Sequence, residues 1–172
     1  VTPTEPAKIA SRDPDPGAAM LLPEELRSKS GFLMMRLAMG FKARAVQAVE
    51  AAGCNQYHYS VLAVLDEQSR KAQATIAGAL NLDPSQLVGI LDGLEQRGLI
   101  VRQRDPEDRR RHVVSLTGKG RNQLVRLRAT IDRLEDEMFA PLNAADRRSF
   151  HEQLVRLAAY HDPRCAGGPC PE

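Results

Sequence analysis

The sequence predicts a mainly α-helical domain that carries one small β-hairpin, and three observations point to it. Apolar residues recur at spacings of three and four through most of the stretch from Pro23 to His161. Two short apolar runs, Leu99-Ile100-Val101 and Val113-Val114-Ser115-Leu116, face each other across a charged loop and read as strands. Helix-start and helix-stop residues (Pro23, Gly53, Asp83-Pro84, Gly98, Thr117, Asn143) punctuate the periodic segments.

Residues 1–22 are rich in Pro and Asp and are expected to form a flexible arm; 162–172, "DPRCAGGPCPE", are expected to form a flexible tail. The 172-residue chain between these ends holds one domain, 23–161. Pro23, with Glu24 and Glu25 behind it, suits a first helical turn, and one long helix is expected from there to Gly53. Its apolar positions, among them Phe32, Leu33, Leu37, Phe41, Val46 and Val49, exceed one narrow stripe, which predicts burial on more than one side.

"NQYHYSVLAVLDEQ" gives a shorter helix with Val61, Leu62 and Leu65 on one face. "KAQATIAGALNL" and "DPSQLVGILDGLEQRGLI" then form two helices joined by about three residues, the second capped by Asp83 with Pro84 in its first turn. Two helices on so tight a turn are a helix-turn-helix, and the ribbon that follows makes it a winged helix-turn-helix over 55–116. Thr117 caps a long helix in which Leu124, Leu127, Ile131, Leu134 and Met138 form a heptad-like seam suited to pairing with another helix. Pro141 ends it, and Asn143 caps a last helix striped by Phe150, Leu154 and Leu157.

A net charge of +2 is close to neutral, so any nucleic-acid reading rests on local clustering. An α-helix fits the major groove with its N-terminal residues against base edges. Those residues here are Asp83, Pro84, Ser85, Gln86 and Val88, with Gly89 one turn along. The hairpin loop carries Arg109, Arg110 and Arg111 in a row. Arginines at the tip of such a ribbon reach the neighbouring minor groove, where negative potential concentrates. Asp108 is placed to orient one guanidinium, and Arg102 and Arg104 line the approach along the strand.

"LEQRGLIVRQRDPEDRRRHVVSLTGKGR" resembles the signature of the MarR family, with its Leu-Glu-x-x-Gly-Leu, Asp-x-x-Asp-Arg-Arg and Leu-Thr-x-x-Gly elements. The specific part of the resemblance covers 55–121, and helix order and lengths agree from about Pro23 to His161. The resemblance implies that Arg110 enters the minor groove and that Asp108 holds it; Arg109 and Arg111, on either side, then read as phosphate contacts. It also implies a homodimer built from long N- and C-terminal dimerisation helices, 23–53 and 117–161, on a pseudo-palindromic double-stranded DNA operator. Many members carry arginines in the recognition helix where this chain has Gly89 and Gly93, which shifts the expected weight of contact to Ser85, Gln86 and the wing.

The family's regulators commonly act as repressors released by a small molecule, often an aromatic carboxylate or a phenol. By that resemblance Arg36 pins the effector carboxylate, Met35 and Met39 form adaptable walls, and His58 adds a polar contact. The alternative for Arg36 is an ion pair between subunits, with the methionines as core. Cys54 is the candidate for a thiol-based switch, although it follows a helix C-terminus, whose partial negative charge does not activate a thiol. Cys165 and Cys170 lie in the expected tail, and His112, His151 and His161 have no partners at ligand spacing, so neither a metal nor another cofactor is expected.

An enzyme is not expected, since the sequence has no nucleophile elbow, phosphate loop or spaced acid pair. A winged helix used only for protein contact conflicts with the wing arginines, because interface cores exclude uncompensated charge. No apolar run approaches membrane-spanning length and no signal-peptide core is visible, so a soluble cytoplasmic protein is expected.

Overall fold

The computed structural model describes residues 21–67, 71–105 and 112–166. They divide into two compact units, one ending at Ala38 and the other beginning at Met39. Helices α1 (Glu24–Arg27) and α2 (Ser30–Ala51) replace the single long helix expected from Pro23. The ladder tightens and stops between them: the Ser28 N–H bonds the Glu24 carbonyl, its hydroxyl donates to the Glu25 carbonyl, and the Lys29 N–H reaches only to Leu26. Serine hydroxyls compete with backbone partners in this way, and Ser28 and Ser30 flank the break. Leu26, Leu33, Met34, Met35 and Leu37 of this first unit are all solvent-exposed.

The second unit holds α3 (Gln56–Glu67), β1 (Lys71–Ala72), α4 (Gln73–Leu80), α5 (Pro84–Gln96), β2 (Ile100–Arg104), β3 (His112–Leu116), α6 (Gly118–Met138) and α7 (Ala144–His161). The expected hairpin is present, with Ile100 opposite Leu116 and Arg104 opposite His112. It is the greater part of a three-stranded sheet ordered β1-β3-β2. Lys71 and Ala72, expected to open a helix, pair instead with Val114 and Val113, and the helix starts at Gln73. This makes β3 the central strand, and both Val113 and Val114 are buried.

Leu62 and Leu65 of α3, Leu87, Leu91 and Leu94 of α5, Val114 of β3, and Leu124 and Leu127 of α6 are almost fully enclosed in one cluster. Truncating any such leucine to alanine costs about 2–5 kcal/mol. The heptad-like seam of α6 is thus used inside the chain: Leu124 and Leu127 belong to the lobe core, and Ile131 packs against it. The seam was expected to pair with another helix, and at Leu124 and Leu127 that helix belongs to the same chain. Apolar spacing reports that a face is covered, and here α3 covers it.

Three helix ends share one construction. α2, α4 and α5 each close on a left-handed residue: Gly53 (φ 70°), Asn81 (φ 51°) and Gly98 (φ 67°). The next N–H then bonds back five residues, Cys54 to Val49, Leu82 to Ala77 and Leu99 to Leu94. This is the Schellman cap, which favours an apolar residue after the left-handed one. Cys54 fills that role at the end of α2 and is 5% exposed.

Candidate nucleic-acid interface

Helix α5 has a buried and an exposed face, and its two ends are held differently. Leu87, Ile90, Leu91 and Leu94 point into the core, while Ser85, Gln86, Val88 (44% exposed) and Gly89 face solvent near its start. Asp83 is the N-cap: its carboxylate accepts from the Ser85 N–H at 2.8 Å and from the Ser85 hydroxyl at 2.5 Å. The Ser85 side chain first, then its backbone, holds the Asp83 carboxyl below the usual carboxylate range. Pro84 occupies the first turn, where its missing N–H is no loss. The start of the helix therefore offers small polar and apolar groups, and among 84–89 no charged side chain.

At the other end α5 is tied to the root of the wing. Arg102 of β2 donates from its backbone N–H to Glu95 Oε1 at 3.0 Å and from Nε to Oε2 at 2.8 Å. Its Nη2 reaches Glu95 Oε2 at 2.5 Å and Asp92 Oδ1 at 2.7 Å. The Arg102 side-chain and backbone hydrogen bonds hold the Glu95 carboxyl below its ordinary range, and Glu95 foremost holds the guanidinium above its own. Thr117 lies just beyond: its hydroxyl donates to the Gly98 carbonyl at 2.7 Å and accepts from the Gly120 N–H at 2.9 Å, capping α6. Lys119 Nζ adds a bond to the Arg97 carbonyl.

Further along the wing, Arg104 is exposed at the last described residues of β2. The loop-tip residues assigned to DNA, Asp108, Arg109, Arg110 and Arg111, lie outside the described residues. The four residues assigned to an effector do not share one compact unit. Met35 and Arg36, both exposed, belong to the first, and Met39 and His58 to the second. Met39 is exposed, but His58 is buried at 7% exposure and its Nδ1 accepts from the Asn55 N–H at 3.2 Å. Burial first, then the nearby Arg97 charge, pushes the His58 imidazole below its ordinary pKa.

Cys54, the redox candidate, is buried as the apolar residue of the α2 cap, with Gln123 Nε2 3.6 Å from its sulfur. Sequence reasoning missed Asp92 and Glu95. The available signal was their spacing of three on one helix face, followed seven residues after Glu95 by an arginine across a tight turn. It also missed a cleft of about 490 Å³ between the end of α6 and α7, lined by Asp132, Glu135, Phe139, Arg147, Phe150 and Leu154. There the Phe139 and Phe150 rings pack at 5.8 Å, and Arg147 sits over Phe139 while pairing with Asp136.

The fold that carries this helix and wing recurs in solved structures. The transcriptional repressor CouR bound to a 23-mer DNA duplex superposes with a TM-score of 0.72 at 32% identity, covering 81% of this chain and 99% of that one. A model of the MarR family matches residues 55–112. A protein of Thauera aromatica, named as a putative transcriptional regulatory protein for the hcr operon, is 32% identical over 115 residues, 67% of this chain and 68% of its own length. The chain belongs to the MarR family.

Members of this family are transcriptional regulators with a DNA-binding winged helix, and this chain is a regulator of the MarR type. CouR of Rhodococcus jostii RHA1 has also been solved bound to p-coumaroyl-CoA; it is 31% identical with a TM-score of 0.67, covering 79% of this chain and 96% of that one. PcaV of Streptomyces coelicolor, solved in complex with its natural ligand, is 26% identical with a TM-score of 0.64, covering 83% and 100%. Against the MarR signature the recognition helix departs at Gly89 and Gly93. A Cβ at Gly89 would meet no atom within 4 Å, and one at Gly93 would lie in ordinary contact with His58 Nε2, 3.7 Å away. Packing requires neither glycine. Among the described residues no group of His, Cys, Asp and Glu is placed to hold a metal, and no helix is long and apolar enough to cross a membrane.

Proposed function

We propose that this chain is a ligand-responsive repressor that binds a pseudo-palindromic operator as a homodimer. Its release by a small aromatic carboxylate or phenol is part of the same reading. The observation that carries DNA recognition is the exposed start of α5, Ser85, Gln86, Val88 and Gly89, beside a wing whose loop holds three arginines. Gln86 suits adenine and Val88 the thymine methyl, Ser85 a base or a phosphate, and Arg110 with Asp108 the minor groove. Arg104, Arg109 and Arg111 supply phosphate contacts.

Dimerisation is supported by apolar side chains left in solvent on two helices: Leu33, Met34, Met35 and Leu37 on α2, and Phe150, Leu157 and Tyr160 on α7. The phenolic part of the effector class is supported by the ligand of CouR, the acyl thioester of a phenolic acid. Arg36 is the residue assigned to an effector carboxylate. The redox alternative gains nothing from Cys54, which is buried and absorbed into a helix cap.

The deciding experiment is a salt titration of binding to a duplex from the chain's own promoter region. Affinity should fall steeply with salt, and Arg110→Ala should reduce the slope by about 0.9 for each phosphate it leaves without a cation. Binding that ignores salt would overturn the regulator reading. A thermal-shift panel of aromatic acids tests the effector: stabilisation that Arg36→Ala abolishes is expected, and none across the panel would count against Arg36.

A further inference from the structure

We propose that Arg102 is a positioning residue for DNA recognition, which fixes the wing to the recognition helix so that both approach DNA as one body. This rests on the DNA-binding reading above, and it gives Arg102 a different task from the phosphate contact that its place in the wing suggests. Its guanidinium is turned back along the chain. Nε and Nη2 are taken by Glu95, Nη2 also by Asp92, and its backbone N–H by the other Glu95 oxygen.

Electrostatics argue against a phosphate there. One guanidinium and two carboxylates sum to −1, so an incoming phosphate would meet a net negative cluster. The Arg102 side chain is also only 23% exposed, against 46% for Asp92. The geometry fits a joint. Arg102 sits opposite Val114 at the middle of the β2–β3 pairing, so holding it holds the register of the whole ribbon. Glu95 and Asp92 lie one turn apart on α5, so the same contact fixes rotation of the ribbon about the helix. Two guanidinium nitrogens converge on Glu95 Oε2 while the backbone N–H holds Oε1, and these charge-assisted bonds give directional constraint that a single lysine contact would not.

The test exploits a conflict of sign. Glu95→Gln removes a negative charge near DNA, which on electrostatics alone strengthens binding. Loss of the joint weakens it. The expected result is a fall in operator affinity of about fivefold for Glu95→Gln and for Arg102→Met, with the slope of log affinity against log salt unchanged. The exchange Glu95→Arg with Arg102→Glu should recover part of the loss, whereas Arg102→Lys should not.

Tighter binding by Glu95→Gln, or a slope in Arg102→Met reduced by about 0.9 for each phosphate left without a cation, would make Arg102 a phosphate ligand and overturn the proposal. Unchanged affinity in both variants would remove the joint from DNA binding. Glu95→Gln keeps the shape and an acceptor, so it is read even where Arg102→Met folds poorly. Failure of the unmodified protein to bind with salt dependence is a separate outcome, and it overturns the DNA-binding reading itself.

Discussion

The two ends of helix α5 are built on opposite plans. Its start is held by one side chain, the Asp83 cap, and leaves Ser85, Gln86, Val88 and Gly89 open to solvent. Its end is gripped by Arg102 and by Lys119, while the adjoining Gly98 carbonyl takes the Thr117 hydroxyl. A helix that reads DNA needs a free end to meet bases and a fixed end to transmit position. The contrast teaches where substitutions should be felt. Changes at the fixed end should cost folding or the placement of the wing, and changes at the free end should cost binding directly.

The hardest way to break the fixed end is Gly120→Ala. A Cβ there would stand 2.0 Å from the Leu99 carbonyl oxygen, and that oxygen is backbone already held by the Thr117 N–H at 3.1 Å. Neither side can yield without moving the α6 N-terminus away from the α5 cap. The expected loss exceeds about 4 kcal/mol, enough to unfold a domain of ordinary stability. Urea denaturation measures it, with Gly118→Ala as the control. No atom lies within 4 Å of a Cβ at Gly118, so that variant should stay near wild type. Equal stability of the two variants would mean that the approach of Gly120 to the Leu99 carbonyl is loose.

The contrast also explains what could be read from the sequence. Asp83, Thr117 and Asn143 were legible because a cap is a local device: each side chain serves an N–H two or three residues away. Gly53 and Gly98 were legible for the same reason. The fixed end was not, because the partners of Arg102 lie seven and ten residues back across a turn whose direction no local rule gives. β1 was missed because two residues become a strand only by meeting β3, some forty positions on. The α6 seam was seen, but not what covers it, because period alone does not name a partner. The burial of His58 was not legible either, since only the packing of α3 on α5 decides its surroundings.

The free end is sharpened by Gly89→Ala. The helix there has space for a methyl group, and alanine is favoured over glycine in a helix interior by about 1 kcal/mol. Stability should therefore rise by about 0.5–1 kcal/mol in urea denaturation. Operator affinity should fall in the same variant, because the methyl stands on the face proposed to lie against the groove. Opposite signs in the two measurements are what a binding end predicts. A variant that is more stable and binds equally well would move the DNA surface away from Gly89.

The smallest effect expected is the titration of His58, which ties α3 to the fixed half of α5. Its imidazole is buried, its Nδ1 accepts from the Asn55 N–H, its Nε2 faces Gly93, and the Arg97 charge lies near. Burial first and the Arg97 charge second disfavour the imidazolium, so the folded pKa lies below the ordinary 6.5. The unfolded chain then binds the proton more readily than the folded one as pH drops through 6.5. The sign follows: the His58 contribution is complete above that pH and is progressively lost below it. Asp83 and Glu95, whose pKa values are also depressed, start from 3.8 and 4.5, so their contributions vanish only in more acid solution. Between pH 7.5 and 5.5, the melting temperature should fall more for the wild type than for His58→Asn, which places an acceptor near Nδ1 without a titrating group. Parallel curves for the two proteins would remove His58 from the acid response, and a steeper fall in the variant would reverse the assigned sign.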